Sequence, residues 1–196
     1  MARTAPAGAE VEGGRARILE AALQVFAERG YNAASIAEIG ERAGIAKSVM
    51  YHHFGSKAGL YEAVVEAQTA ELVNEVAAAL PEDPAAPRLR VGVDAYFRFL
   101  RSNPTVWRLL FRDPPTDQEL LEVDRRLRQK RSELLTSLLA QEGSQTRKGK
   151  KLFAELMTTA IRAYATWWHD HPRVPREQVV DAVMDFTQAG VKRLKK

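Results

Sequence analysis

Between positions 35 and 57 stand residues whose types suit contact with a polyanion: Ser35, Lys47, Ser48, Tyr51, His52, His53 and Lys57. Lys57 falls in the first turn of a helix that Ser56 caps, where a cation meets the positive end of the helix dipole and is mildly destabilising. A phosphate at that N-terminus reverses the sign, because free backbone N–H groups, the Ser56 hydroxyl and the Lys57 ammonium then converge on one anion. Ser35 caps a short helix further upstream and offers the same chemistry to a flanking strand. Lys47, Tyr51 and His52 give one helix a polar and aromatic face suited to phosphates and base edges. Plainer readings stand beside these: Tyr51 as a half-buried packing residue, His52 as a solvated one.

These residues need short helices to hold them. Ile18, Leu19, Ala22, Val25 and Phe26 recur at helical spacing, and Gly30 sits where a left-handed residue ends such a helix. Ser35 followed by Glu38 is a capping-box pattern, after which Ile36, Ile39 and Ala43 form one apolar stripe up to Gly44. Residues 45–54 make a second short helix, with Val49, Met50 and Phe54 available for packing. Two short helices around a glycine turn, packed on a preceding helix, form the helix-turn-helix arrangement. All-helical proteins that never meet DNA use the same pieces, so periodicity leaves both readings open.

Residues 17–60, reading "ILEAALQVFAERGY", "SIAEIGERAGI" and "AKSVMYHHFGSKAGLY" in turn, resemble the TetR family of bacterial transcriptional regulators. The resemblance implies an N-terminal DNA-binding domain and a C-terminal helical domain that dimerises and encloses a ligand pocket. It also implies that Lys47, Ser48 and Val49 face the major groove, while Tyr51, His52, His53 and Lys57 grip phosphates or base edges and Ser35 adds a phosphate contact. Arg15 and Arg17, with Arg3, would follow the backbone or enter the minor groove. The chain departs from the family pattern at Ala46, where Ser or Thr usually caps the third helix, and at Gly59, where an acidic residue or alanine is commoner.

The expected layout is all-α with about nine helices: a flexible arm over 1–14, the helix-turn-helix domain over 15–55, and a ligand-binding and dimerisation domain over 56–196 whose first helix, 56–80, connects the two. Pro81, Pro84 and Pro87 mark the internal boundary. Further helices are predicted over 89–100, over 106–111, from Thr116 with Glu119 completing a capping box, and over 152–168 and 176–194. A polar loop spans 143–151. The 152–168 helix is apolar over an arc too wide for a surface helix, so it is buried on two sides. Candidate pocket residues are Tyr96, Phe97, Leu100, Trp107, Leu110, Phe111, Leu121, Asp124, Met157, Ile161, Tyr164 and Trp168, most of them serving as core. An aromatic box beside Asp124 or Glu155 would favour a flat cation; Arg128 or Arg162 turned inward would favour an acid. Val179, Val183, Phe186 and Gly190 form a candidate dimer stripe.

Composition narrows the class. With 45% hydrophobic and 28% charged residues the chain is that of an ordinary globular protein, and without cysteine it has no disulfide, thiolate zinc site or cysteine nucleophile. A net charge of +4 permits an anionic partner without requiring one. No apolar run is long enough for a membrane span, and a cytoplasmic location is expected. "GSQTRKGKK" at 143–151 has five residues between its glycines and no Ser or Thr after the lysine pair, so it is no phosphate loop. His169 and His171 are two apart on a helix and diverge, so no metal is expected. With no nucleophile motif there is no catalytic residue and no cofactor. The expected protein is a repressor that binds a palindromic double-stranded operator as a homodimer and leaves it on binding a small apolar or aromatic effector. Its rivals are a small helical enzyme and a helical adaptor using the C-terminal aromatic residues.

Overall fold

The structure, a computed structural model, describes residues 7–83, 86–112, 120–123, 125–126, 129, 132–133 and 147–194. All regular elements among them are helical, as expected from the patterning: α1 (Ala7–Ala33), α2 (Ile36–Ala43), α3 (Lys47–Phe54), α4 (Lys57–Ala79), α5 (Arg88–Ser102), α6 (Pro104–Trp107) running into a π-helical turn (Arg108–Arg112), α7 (Arg147–Asp170) and α8 (Arg176–Leu194). Residues 120–123, 125–126, 129 and 132–133 are helical as well. Thr116 with Glu119, Asp124, Arg128 and 143–146 lie outside the described residues.

The chain forms two compact units, Met1–Gln68 with Thr105–Leu121 and Thr69–Pro104 with Glu122–Lys196, and α4 runs through both. In the first unit, Ile18, Ala22, Val25 and Phe26 of α1, Ile39 of α2, Met50 of α3, and Leu60 and Val64 of α4 are buried. α1 starts at Ala7, ahead of the start expected near Arg15. Apolar periodicity could not show this, because the sequence ahead of Arg15 carries no apolar repeat at helical spacing. Gly30, at φ 72 and ψ 166, interrupts the helix where its left-handed role was expected. The π-helical turn packs on α1, and Trp107 stacks on Phe111 at 6.1 Å.

Arg42 joins α2 to α1: its Nη2 donates to Glu28 and to Glu38, each at 2.8 Å. The hydrogen bond from Arg42 holds the Glu28 carboxyl below the usual carboxylate range.

The second unit is built on α5, α7 and α8. Phe97 and Met157 are fully buried, at 0% exposure, and Phe97 meets Tyr96 and Trp168 edge-on at 5.5 and 5.7 Å. Trp168 Nε1 donates to the Val174 carbonyl at 2.8 Å, fixing the turn between α7 and α8. Arg176 Nε donates to Asp94 at 2.8 Å and Arg90 pairs with Asp181 at 2.6 Å, tying α8 to α5. α7 begins at Arg147 rather than at 152, so part of the expected loop is helix; the Arg and Lys residues of this stretch are good helix formers. Among the described residues no helix is long and apolar enough to cross a membrane.

Candidate nucleic-acid interface

Two serine caps and four glycines set the geometry of α2, α3 and α4. The Ser35 hydroxyl accepts from Glu38 N–H at 3.2 Å, starting α2 as its sequence pattern predicts. Glu38 does the second job of a capping box differently, spending its carboxylate on Arg42. α2 ends at Gly44, left-handed at φ 66 and ψ 35, and Ile45 N–H returns to the Gly40 carbonyl at 2.9 Å. A Cβ on Gly40 would lie 2.8 Å from the Ile45 carbonyl oxygen and 3.1 Å from Met50 Sδ, so only glycine lets α2 and α3 approach this closely.

α3 starts at Ala46 without a side-chain cap, which follows from the departure at that position. It ends at Gly55, φ 72, and Ser56 immediately caps α4 by accepting from Gly59 N–H at 3.0 Å. Gly59, the other departure from the family pattern, has a cause in this junction: a Cβ there would stand 2.2 Å from the Phe54 carbonyl oxygen.

Met50 is the buried residue of α3. At about 100° per residue this sends Ser48 and His52 straight outward, with Lys47 and Tyr51 on one flank and Val49 and His53 on the other. Lys47, Ser48, Val49, Tyr51 and His52 are exposed and His53 is half-buried. Val49 therefore does not pack into the core, as its apolar character suggested, and Tyr51 is not half-buried. Lys47 Nζ stands 5.7 Å from the Tyr51 ring centroid, and His52 meets the His53 ring at 5.8 Å. Arg15 and Arg17 are exposed on α1, with the Arg15 guanidinium 5.7 Å from the Phe54 ring, beside the end of α3. Lys47 on α3 and Arg15 beside its end therefore give this exposed helix face two cations, a surface suited to a polyanion.

Lys57 is held more firmly than its sequence position suggests. Its Nζ donates to the Asn32 carbonyl at 3.1 Å and sits 4.6 Å from the Tyr31 ring centroid. Tyr31 in turn meets Tyr61 edge-on at 5.1 Å. Partial burial lowers the Lys57 pKa. Tyr31 and Asn32 were not singled out in the sequence.

The candidate pocket residues divide between the two units. Trp107, Leu110, Phe111 and the exposed Leu121 belong to the first; Tyr96, Phe97, Leu100, Met157, Ile161, Tyr164 and Trp168 belong to the second. Phe97, Leu100, Met157, Ile161 and Trp168 are packed in the second unit's core. Tyr164 instead lines an apolar cleft of about 410 Å³ between α7 and α8, with Trp167, Val174, Gln178 and Val179. The buried Thr69 hydroxyl, which the sequence reading passed over, has no hydrogen-bond partner among the described residues.

The candidate dimer stripe is turned relative to expectation. Val179 and Val183 are buried within their own unit, so they cannot by themselves meet a second chain, whereas Phe186 is 54% exposed. The exposed apolar residues on these helices are Phe186 of α8 and Leu156 and Trp167 of α7. Gly190 is helical within α8. His171 stacks on Trp167 at 4.2 Å, and among the described residues no group of three His, Asp or Glu side chains is placed to hold a metal.

Comparison with known proteins identifies the arrangement. The profile of bacterial regulatory proteins of the tetR family matches residues 18–64, and that of the tetracyclin repressor-like C-terminal domain matches residues 85–190. The chain is 28% identical over 180 residues to the HTH-type transcriptional activator FasR of Mycolicibacterium smegmatis, covering 90% of this chain and 82% of that one. In fold it is similar to a TetR-like regulator from Rhodococcus sp., with TM-score 0.71, 24% identity and coverage of 97% and 99% of the two chains. It is also similar to the regulator FadR of Bacillus subtilis in complex with stearoyl-CoA, with TM-score 0.76, 16% identity and coverage of 88% and 96%. The protein belongs to the TetR family of transcriptional regulators, with a helix-turn-helix DNA-binding domain, and the family's members are regulators rather than enzymes.

Proposed function

We propose that the protein is a homodimeric, effector-controlled operator-binding regulator of the cytoplasm, in which each protomer lays α3 in the major groove of one half of a palindrome. The observation that carries this is the outward face of α3: polar, basic and aromatic side chains stand exposed on a helix anchored by Met50 and held on α2 at Gly40. Lys47, Ser48 and Val49 read bases, while Ser35, Tyr51, His52, His53 and Lys57 hold phosphates or neighbouring base edges and Arg15 and Arg17 follow the backbone. Two such helices must match half-sites about 34–36 Å apart per helical turn. Exposed Phe186, Trp167 and Leu156 supply the apolar surface for dimerisation, a role this revised stripe takes over from Val179 and Val183.

The effector enters the second unit, where the apolar cleft lined by Tyr164, Trp167, Val174 and Val179 suits a ligand with a large apolar part. FadR of Bacillus subtilis was solved with stearoyl-CoA, so a long acyl thioester is the first effector to test, beside flat aromatic compounds. α4 spans both units and is the element through which an effector would move the reading helices. Release by the effector gives repression; FasR, an activator by name, supports the opposite direction of control as a second reading.

Selection of bound duplexes from a random pool, followed by titration at several salt concentrations and sedimentation of the complex, tests the proposal. A palindrome bound by paired protomers with a steep salt dependence is expected. An enriched sequence without two-fold symmetry would overturn the dimeric reading, and no enriched sequence at all would overturn operator binding.

A further inference from the structure

Val49 is out of place as a folding residue. It is 41% exposed, β-branched, and sits in the first turn of a short helix that has no side-chain cap. Exposure of this kind on a β-branched residue contributes neither packing nor helix propensity. Among the described residues of the first unit up to position 68, the large apolar side chains that remain exposed are Val49 and Tyr51, both on α3. Tyr51 has the Lys47 ammonium at its ring and a hydroxyl of its own. Val49 ends in two methyl groups, on the flank of the face opposite to Lys47.

The helix-turn-helix DNA-binding domain, with Lys47 on this face and Arg15 beside its end, makes a nucleic acid its occupant, and the major groove is wide enough to admit a helix. The base edges displayed there are hydrogen-bond donors and acceptors with one exception, the C5 methyl of thymine. Against any other edge, Val49 would desolvate a donor or acceptor and give it nothing in return. Against the thymine methyl it buries apolar surface on both sides. We infer that Val49 is a specificity residue that recognises a 5-methylpyrimidine, a thymine, within each half-site. The inference rests on the reading of α3 as the groove-binding helix and adds to it the chemical identity of one base.

The test uses the full-length protein and the duplex enriched from the random pool. Each thymine of a half-site is replaced in turn by uracil, which removes the methyl and leaves pairing intact. The wild type should bind about fourfold more weakly when one particular thymine is replaced in a single half-site, the effect of one buried methyl-sized contact. Val49→Ala should lose most of that discrimination at the same position and keep any discrimination found elsewhere, with an unchanged melting temperature because the side chain is exposed. An enriched duplex on which no uracil replacement matters would overturn the inference and leave the groove-binding role of α3 intact. So would a Val49→Ala protein that still distinguishes thymine from uracil at every position. A chain that enriches no duplex would overturn the reading of α3 and the inference together.

Discussion

Replacing Lys57 by methionine separates what this residue does for the fold from what it does for DNA. Methionine keeps an unbranched apolar stem against the Tyr31 ring and removes the charge. Loss of the cation–π contact at 4.6 Å is worth about 0.5–1 kcal/mol. Relief of a cation at the positive end of a helix dipole returns about 0.3–1 kcal/mol. The freed Asn32 carbonyl belongs to an exposed residue that water can reach. Partial burial of the ammonium already works against the folded state, so removing the charge also lifts that cost. The net change in stability should therefore fall within about 1 kcal/mol of zero, or a shift of about 2–4 °C at most for a chain of this size.

The DNA contact behaves otherwise. Losing one phosphate contact per protomer lowers the slope of log K against log salt by about 1.8 for the dimer and, with the lines meeting near 1 M, weakens its binding about thirtyfold at roughly 0.15 M salt and about two-hundredfold at roughly 0.05 M. Fluorescence anisotropy on an enriched duplex, run as a salt series beside thermal melting, gives both readouts. An unchanged salt slope would refute the phosphate role. A melting temperature lowered by much more than the stated few degrees would make Lys57 chiefly a strap between α1 and α4. The pH dependence has a definite sign. Because the folded pKa of Lys57 lies below its unfolded value, the unfolded chain binds more protons between the two, and the penalty from burying this cation fades as pH rises through the folded value. Lys57→Met should abolish that alkaline component of stability.

Further outcomes follow from other contacts. Gly59→Ala should destabilise the protein by about 1–3 kcal/mol in urea unfolding despite the better helix propensity of alanine, because the new Cβ meets the Phe54 carbonyl 2.2 Å away; a more stable variant would refute the close junction. Glu28→Gln should remove part of the acid sensitivity, since the lowered carboxyl pKa gives stability that is present above the unfolded value of about 4.5 and lost as pH falls through the folded one; identical acid unfolding curves for variant and wild type would refute it. Phe186→Glu should shift sedimentation toward the monomer and weaken operator binding without lowering the monomer's helical content. A dimer that persists at the same concentrations would place the interface elsewhere.

Much of the DNA-reading part was legible because its signals are local. Ser35, Gly44 and Ser56 act on neighbours within a few positions, and Met50 can be placed inward by counting along one short helix. The remainder depends on partners distant in sequence. Lys57 acts on Asn32, 25 positions earlier, and no spacing rule connects them. Gly59 read as a departure from a pattern, although its cause is a carbonyl brought close by the turn before it. Periodicity showed that α8 carries an apolar stripe along Val179, Val183 and Phe186, but not that the valines face α7 and the core while Phe186 faces out. For the same reason it listed Phe97, Met157 and Trp168 as pocket candidates without separating lining from filling.

The division of the chain also bears on its synthesis. The unit that carries α3 is discontinuous: it takes residues 1–68, gives way to another unit, and regains the chain at 105–121. Trp107, Leu109 and Phe111, buried residues of that unit, are made only after α5, which belongs to the other. A nascent chain therefore emerges from the ribosome with α1, α2 and α3 before Trp107, Leu109 and Phe111, which belong to the same unit, have been made. A contiguous cassette of residues 1–68 would carry α1, α2 and α3 to another regulator without Trp107, Leu109 and Phe111 of the same unit.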